Sequence, residues 1–304
     1  MDDPVAQAGD LCAWKEQLGP DLMELIRGIG ADPVRVIPLT SLTSPSLKRG
    51  SFQLCFSDGR ILKGRRFWSE DRARDVEALM RELGGDFLPR VLDRRGTGLL
   101  MEWVEGQLLS PEEYTMAMLR ACGALQGRIH ATEVGDEFDR MPRSRVEADR
   151  DRFNEQIDAL VLGGALSGKE ANRALALAES ATPSRFETGP VHLDFCPENI
   201  VRSDAGRFVI VDNETIGIDA CDYDLARTWY RWPMTPPQRA AYFEGYNRFR
   251  SSTEFSTNFF YWAVRAIVDS AFFRFHYETP EKAAPLDCLR RLLAKKERPS
   301  FDLP

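Results

Sequence analysis

The sequence predicts an α+β chain in two parts, a small antiparallel sheet near the N-terminus and a larger, mostly helical remainder. Three observations carry that reading. Residues 34–104 hold short alternating segments separated by turn residues. Residues 108–293 hold long segments with helical periodicity. Inside the second part, IVRSDAGRFVIVD reads as two short strands folded over a turn at Asp204, Ala205 and Gly206, with acids and an amide on either side.

Taken in order, Leu11 to Arg27 reads as a leading helix resting on the small sheet. SFQLCFSDGRILKGRRF, Ser51 to Phe67, reads as a hairpin turning at Ser57, Asp58 and Gly59. A helix follows from an acidic start near Ser69 to a glycine stop at Gly84, with Val76, Leu79, Met80 and Leu83 on one face. Leu88 to Leu109 gives a second hairpin over Arg94 to Gly98 and ends in MEWVEG. The spacing then predicts helices over 112–131, 143–162 and 169–181, the last two separated by Gly163, Gly164 and Gly168. NFFYWAVRAIVDSAFFRFHYE is apolar almost all round and reads as a core helix, while Arg265, Asp269 and Arg274 make it too polar for a membrane span. The tail KKERPSFDLP reads as a frayed end. The expected division is 1–105, a leading helix with the sheet, and 106–304, the helical part.

Composition narrows the function classes. With 304 residues and 43% hydrophobic content the chain can bury a full core. Its net charge is -7, from 47 acids against 40 bases, and the bases between Lys48 and Arg74 do not interleave with stacking aromatics, which argues against a nucleic-acid partner. Six cysteines without a CxxC pair, and three histidines, leave little for a zinc site. With no signal peptide or membrane run to read, the expectation is a cytoplasmic protein without a membrane partner, a monomer or weak homodimer.

The chemistry concentrates between His192 and Glu214. Asp194 and Asn199 share a loop broken by Pro197, and Asp212 ends the apolar run RFVIV, so the hairpin between them would bring Asp212 back beside Asn199. Mg²⁺ takes hard oxygen ligands and keeps several waters, so one carboxylate and one amide carbonyl beside nucleotide phosphates can hold it. Asn199 and Asp212 suit that role, with Glu214 as a further metal contact. A nearby carboxylate that is not a ligand can accept the proton of an attacking hydroxyl. Asp194 suits that second task. Any one of these residues alone reads as ordinary turn chemistry; the ordered set points to phosphoryl transfer.

H-x-D-x-x-x-x-N followed by a strand-borne Asp resembles the catalytic and metal-binding segments of the aminoglycoside phosphotransferase and choline kinase-like family. The resemblance implies a two-lobed, protein-kinase-like fold with ATP and Mg²⁺ as cofactors. It makes Asp194 the catalytic base, Asn199, Asp212 and Glu214 the metal contacts, His192 a structural residue, and Asp224 of DYDLART the support of the catalytic loop. Leu193 stands where the family usually has glycine, a departure expected to affect packing more than chemistry.

The same resemblance gives Lys63 to the inner phosphates and Glu77 to the task of holding Lys63. Ser46, in LTSPSLKRGS, becomes a phosphate donor, and the backbone from Glu102 to Val104 meets the adenine. Standing alone, Lys63 reads as a solvated strand lysine in a basic patch, and Ser46 as part of a polar turn. Helices inserted before the catalytic loop favour a small-molecule acceptor, with Asp219, Asp222, Tyr230 and Glu214 on the rim of its site. The expected activity is transfer of the γ-phosphoryl group to a hydroxyl of an amine-bearing or sugar-like, cationic acceptor. A kinase-like binding protein without catalysis is the other reading, motivated by the single glycine in the phosphate loop.

Overall fold

A computed structural model describes residues 11–39, 50–138, 141, 146–276 and 283–294. The chain separates into two compact units, 1–107 together with 201–214, and 108–200 together with 215–304. The segment 201–214, which the sequence places with the helical part, thus packs in the first unit. The loop carrying Ser46 and the tail after Ala294 lie outside the described residues.

In the first unit, α1 (Leu11–Gly28) is broken at Gly19, whose φ of 74° and following Pro20 start a second helical segment. The strands β1 (Pro33–Pro38), β2 (Ser51–Phe56) and β3 (Ile61–Arg66) are followed by α2 (Glu70–Leu83), then by β4 (Val91–Arg95) and β5 (Gly98–Glu102). They form one antiparallel sheet in the order β1-β2-β3-β5-β4. Leu18, Leu22 and Ile26 of α1 are buried with Val36, Phe52, Leu54 and Leu100. Gly64 makes this close approach possible, because a Cβ there would sit 3.1 Å from Leu54 and 3.2 Å from Leu22. The opposite face of β3 therefore carries Ile61, Lys63 and Arg65. Ser69 caps α2 by accepting from Arg72 N–H at 3.2 Å, and Gly84 ends it.

The chain leaves this unit through β6 (Gln107–Leu108). In the second unit a short 3₁₀ turn, Pro111–Glu113, replaces the first turn of the helix expected from Glu112. α3 (Met116–Ala131) starts instead where the Thr115 hydroxyl accepts from Met118 N–H at 3.1 Å. α4 (Val146–Leu162) and α5 (Gly168–Glu179) follow, the second opened by a capping box of Ser167 and Glu170. β7 (Thr188–Val191) leads to the segment carrying Asp194 and Asn199 and then to β8 (Ile200–Arg202), through which the chain re-enters the first unit. There β9 (Phe208–Ile210) completes the expected hairpin, closed by Ser203 N–H to Arg207 O at 2.8 Å. The second unit resumes with β10 (Gly217–Ala220), antiparallel to β7. It ends with α6 (Cys221–Arg231), α7 (Pro236–Tyr246), α8 (Thr253–Thr257), α9 (Phe259–His276) and α10 (Ala283–Ala294).

α9 is the core helix its composition predicts, with Trp262, Val264 and Ile267 at most 1% exposed, and it packs against α4, α5, α6 and α10. α3 and α7 touch backbone to backbone across Gly123, Gly127 and Gly245, where any side chain would collide. No helix among the described residues is long and apolar enough to cross a membrane.

Candidate active site

The first unit supplies two carboxylates and three cations. β9 delivers Asp212 with φ at 61°, left-handed backbone that a non-glycine residue seldom adopts. Lys63 Nζ lies 3.5 Å from Asp212 Oδ1, both side chains largely withdrawn from solvent. Arg65, two residues along the same face of β3, reaches Glu214 Oε1 at 3.1 Å and donates to Ser51 Oγ at 2.8 Å. Arg72 of α2 donates to the Glu214 carbonyl at 2.7 Å. Burial and a hydrogen bond to the Asp212 carboxyl push the Glu214 pKa up to about 7, against the pull of Arg65 and Lys63.

That donor set fits a divalent cation. Asp212 and Glu214 present hard oxygens side by side, and the mutual repulsion that raises the Glu214 pKa is one that a cation would neutralise. Among the described residues no cluster of three or more His, Cys, Asp or Glu is arranged for a metal. A cation held here would thus keep water or phosphate oxygens in its shell, as Mg²⁺ does.

Glu77 does not hold Lys63. Its Oε2 accepts from Arg94 Nε at 2.6 Å and its Oε1 from Arg81 at 3.0 Å, so it ties α2 to β4. Helix phase explains the correction. Arg72 and Asp75, three residues apart, share the side of α2 turned to Glu214, whereas Glu77 is two positions further round. Glu102 is also partly committed, since its N–H donates to Arg90 O at 3.0 Å. Glu102 and Val104 line a cavity of about 710 Å³ with Met80, Leu88, Val91 and Val209. Neither Lys63 nor Asp212 borders that cavity, nor does any residue of β1, β2 or β3.

The second unit supplies the loop with Asp194. Asn199 Nδ2 donates to Asp194 Oδ2 at 2.9 Å and to the Asp194 carbonyl at 2.8 Å, so the amide clamps both the side chain and the backbone of that residue. Pro197 starts the short turn that places Asn199, whose own N–H returns to Cys196 O at 3.0 Å. Beneath the loop, Asp224 of α6 is fully buried. It accepts from Leu193 N–H at 2.8 Å, His192 N–H at 3.2 Å and Gln126 at 3.2 Å. His130 Nε2 lies 2.9 Å from Asp224 and its Nδ1 2.9 Å from the Tyr246 hydroxyl. Burial holds the His130 pKa below its ordinary value; Asp224, despite its own burial, is also held low by hydrogen bonds from His130 and Gln126. A neutral imidazole donating to a buried carboxylate is thus the floor on which the loop rests. Thr215 Oγ donates to the His192 carbonyl at 2.7 Å and fixes the loop from the other side.

Two residues that the sequence reading missed stand beside Asp194. Arg231 donates directly to Asp194 Oδ1, and Arg227 Nη2 lies 3.8 Å from the same oxygen. Arg227 also donates to the Leu193 carbonyl and pairs with Asp269 at 3.1 Å. The sequence signal was available. Asp224, Arg227 and Arg231 recur at helical spacing on one side of α6. Burial pushes the Cys196 thiol pKa up, which removes it as a nucleophile.

A family model, the phosphotransferase enzyme family, matches residues 60–258. The chain belongs to that family of phosphotransferases, and its fold is protein-kinase-like. No curated protein matches it by sequence. Among solved structures it is similar to the choline kinase of Streptococcus pneumoniae, at 13% identity over 90% of this chain and 97% of that one, with a TM-score of 0.66. It is also similar to an amicoumacin kinase in complex with AMP-PNP, Ca²⁺ and Ami, at 14% identity over 91% and 94%, TM-score 0.64. An aminoglycoside phosphotransferase from Alicyclobacillus acidocaldarius gives 15% identity over 84% and 90%, TM-score 0.56.

Proposed function

We propose that this phosphotransferase moves the γ-phosphoryl group of ATP to an alcohol of a small metabolite, with Asp194 as the base. The observation that carries the reading is the Asp194 loop. Its carboxylate is held by Asn199 and its backbone by the buried Asp224, so one oxygen points in a fixed direction before any substrate arrives. That oxygen accepts the hydroxyl proton as the oxygen–phosphorus bond forms. Lys63 and Arg65 offset charge on the phosphates, an electrostatic task that a partly buried lysine performs better than an exposed one.

Asp212, Glu214 and the side-chain oxygen of Asn199 are the proposed contacts for Mg²⁺, which when bound supplies charge neutralisation at the phosphates. The AMP-PNP and Ca²⁺ bound to the similar amicoumacin kinase support a nucleoside triphosphate with a divalent cation. Ser46 remains proposed as a phosphate donor and the backbone near Val104 as the adenine contact. Of the amine-bearing and sugar-like acceptors that the sequence resemblance implies, the sugar-like class agrees better with the two guanidiniums beside Asp194.

The test is incubation with Mg·ATP and a metabolite extract, following by mass spectrometry any species heavier by one phosphoryl group. A product absent with Asp194→Asn supports the assignment. A product that persists with that variant removes Asp194 as the base.

A further inference from the structure

The hydrogen bonds beneath the Asp194 loop continue into α3 and α7. We infer that Tyr246 is a positioning residue for the reaction: its hydroxyl donates to His130 Nδ1, fixes the imidazole in its Nε2–H form, and so keeps Asp224 available to the backbone N–H groups of His192 and Leu193. Its bearing on catalysis rests on the phosphotransferase reading above. The chain of hydrogen bonds stands without that reading.

The chain has one consistent direction. The backbone N–H groups of Leu193, 2.8 Å from Asp224 Oδ1, and of His192, 3.2 Å from Oδ2, can only donate, and so can the Gln126 amide nitrogen at 3.2 Å. Asp224 is therefore an ionised acceptor, and despite its burial the hydrogen bonds from His130 and Gln126 hold its pKa low. A lone pair on His130 Nε2 would face that charge at 2.9 Å, so Nε2 carries the ring proton. Burial holds the His130 pKa low against the pull of Asp224, with Arg250 adding to burial, so the ring is neutral and Nδ1 accepts. The group 2.9 Å from Nδ1 is the Tyr246 hydroxyl, which must then be the donor. Its proton is secure, since burial pushes the phenol pKa far up.

Each alternative strands a buried group. Moving the ring proton to Nδ1 sets the Nε2 lone pair against the carboxylate. Adding a second proton makes both ring nitrogens donors and leaves the Tyr246 hydroxyl proton, on a fully buried side chain, without an acceptor among the described residues. The loop feels the difference because the donors compete. Asp224 Oδ2 is shared by His130, Gln126 and the His192 N–H, and an imidazolium would draw that oxygen toward itself at the expense of the longer contacts. Leu193, held at a φ of 63°, relaxes when Asp224 shifts, and Asp194 is the next residue.

The place of the hydroxyl is built into the helix packing. α3 and α7 touch at Gly127, where a Cβ would lie 2.6 Å from the Tyr246 carbonyl, and His130 follows Gly127 by three residues on the same side of α3. The Tyr246 ring meets the imidazole edge-on at 5.6 Å. A phenylalanine would fill the same space, so the hydroxyl is the part of Tyr246 that this chain uses.

The experiment labels the full chain with ¹⁵N-histidine and reads the ring nitrogens by NMR; the chain has three histidines, His130, His192 and His276, which makes the assignment short. His130 should show a protonated Nε2 and an unprotonated Nδ1 that accepts a hydrogen bond. A protonated Nδ1 in the unaltered protein overturns the inference. Tyr246→Phe should speed amide hydrogen exchange at His192 and Leu193 about tenfold or more, the loss of one buried hydrogen bond, while amides of α9 exchange as before. The rate of Asp194-dependent transfer from Mg·ATP to a metabolite extract should fall by a similar factor, with KM for Mg·ATP within about threefold. His130→Gln keeps an amide donor for Asp224 and has no tautomer to lose, so adding Tyr246→Phe to it should change transfer by less than about threefold. The positioning role is overturned by an equal loss in that background, by exchange that is unchanged at Leu193 or faster throughout the protein, or by transfer that Tyr246→Phe does not affect. Absence of transfer in the unaltered protein, with the tautomer and exchange results as stated, overturns the phosphotransferase reading and upholds the chain of hydrogen bonds.

Discussion

Asp224 accepts the backbone N–H of Leu193 at 2.8 Å, and Leu193 is thereby held at a φ of 63°, left-handed backbone that a leucine adopts at a cost. Leu193, which precedes Asp194, is strained, and the buried carboxylate on α6 is what maintains the strain. Substitution at Leu193 should therefore invert the usual order. Leu193→Ala loses the half-buried side chain and keeps the strain, whereas Leu193→Gly loses the same side chain and releases it. The glycine variant should be the more stable of the two by about 1 kcal/mol in urea denaturation, net of the greater freedom of glycine in the unfolded chain. An alanine variant as stable as the glycine one would mean that the backbone relaxes.

Lys63 and Glu77 should separate in kinetics. Lys63 lies beside Asp212, while Glu77 serves Arg94 and Arg81. Lys63→Ala should lower kcat/KM for Mg·ATP about a hundredfold or more, as the loss of one preorganised charge does. Glu77→Gln should leave that constant within about threefold and cost at most about 1 kcal/mol of stability, the range for a partly exposed ion pair. Equal kinetic losses in the two variants would restore Glu77 as the partner of Lys63.

Asp222 gives a pH signature in the second unit. Burial, with Glu187 and Glu254 adding to it and Arg250 opposing, pushes its pKa up to about 7 from 3.8. The folded state thus binds this proton more tightly than the unfolded state. The resulting contribution to stability is present below pH 4 and is lost as pH rises from about 4 through 7. Asp222→Asn removes the ionisation, so its stabilising effect should be larger at pH 8 than at pH 5, by about 2–3 kcal/mol. An effect that is the same at both pH values would show that Asp222 ionises normally.

Much of the scaffold was legible because it depends on local signals. Ser69 and Gly84 bound α2, Asp58 and Gly59 turn the β2–β3 hairpin, and the apolar run from Phe259 fills the core. Asp194 and Asn199 were read from the loop pattern together with the family resemblance that it carries, and two hydrogen bonds join them. What was not legible depends on phase and on distant neighbours. A motif locates a glutamate on α2 but not the side of the helix it occupies, so Glu77 was matched to the wrong cation. Leu193 was read as a packing change, because nothing in its identity announces a positive φ. Arg227 and Arg231 were not singled out, although their spacing from Asp224 places them beside the Asp194 loop. Tertiary structure also moved 201–214, and Asp212 with it, into the unit that carries Lys63.

The most direct measurement is single-turnover phosphoryl transfer by Asp194→Asn against the unaltered protein, with Mg·ATP affinity determined by calorimetry on both. The account predicts a loss of about a hundredfold to ten-thousandfold in the transfer rate, the range for a general base, with nucleotide affinity within about threefold. Transfer at the original rate with unchanged affinity would contradict the role of Asp194 and, with it, the reading of the whole loop.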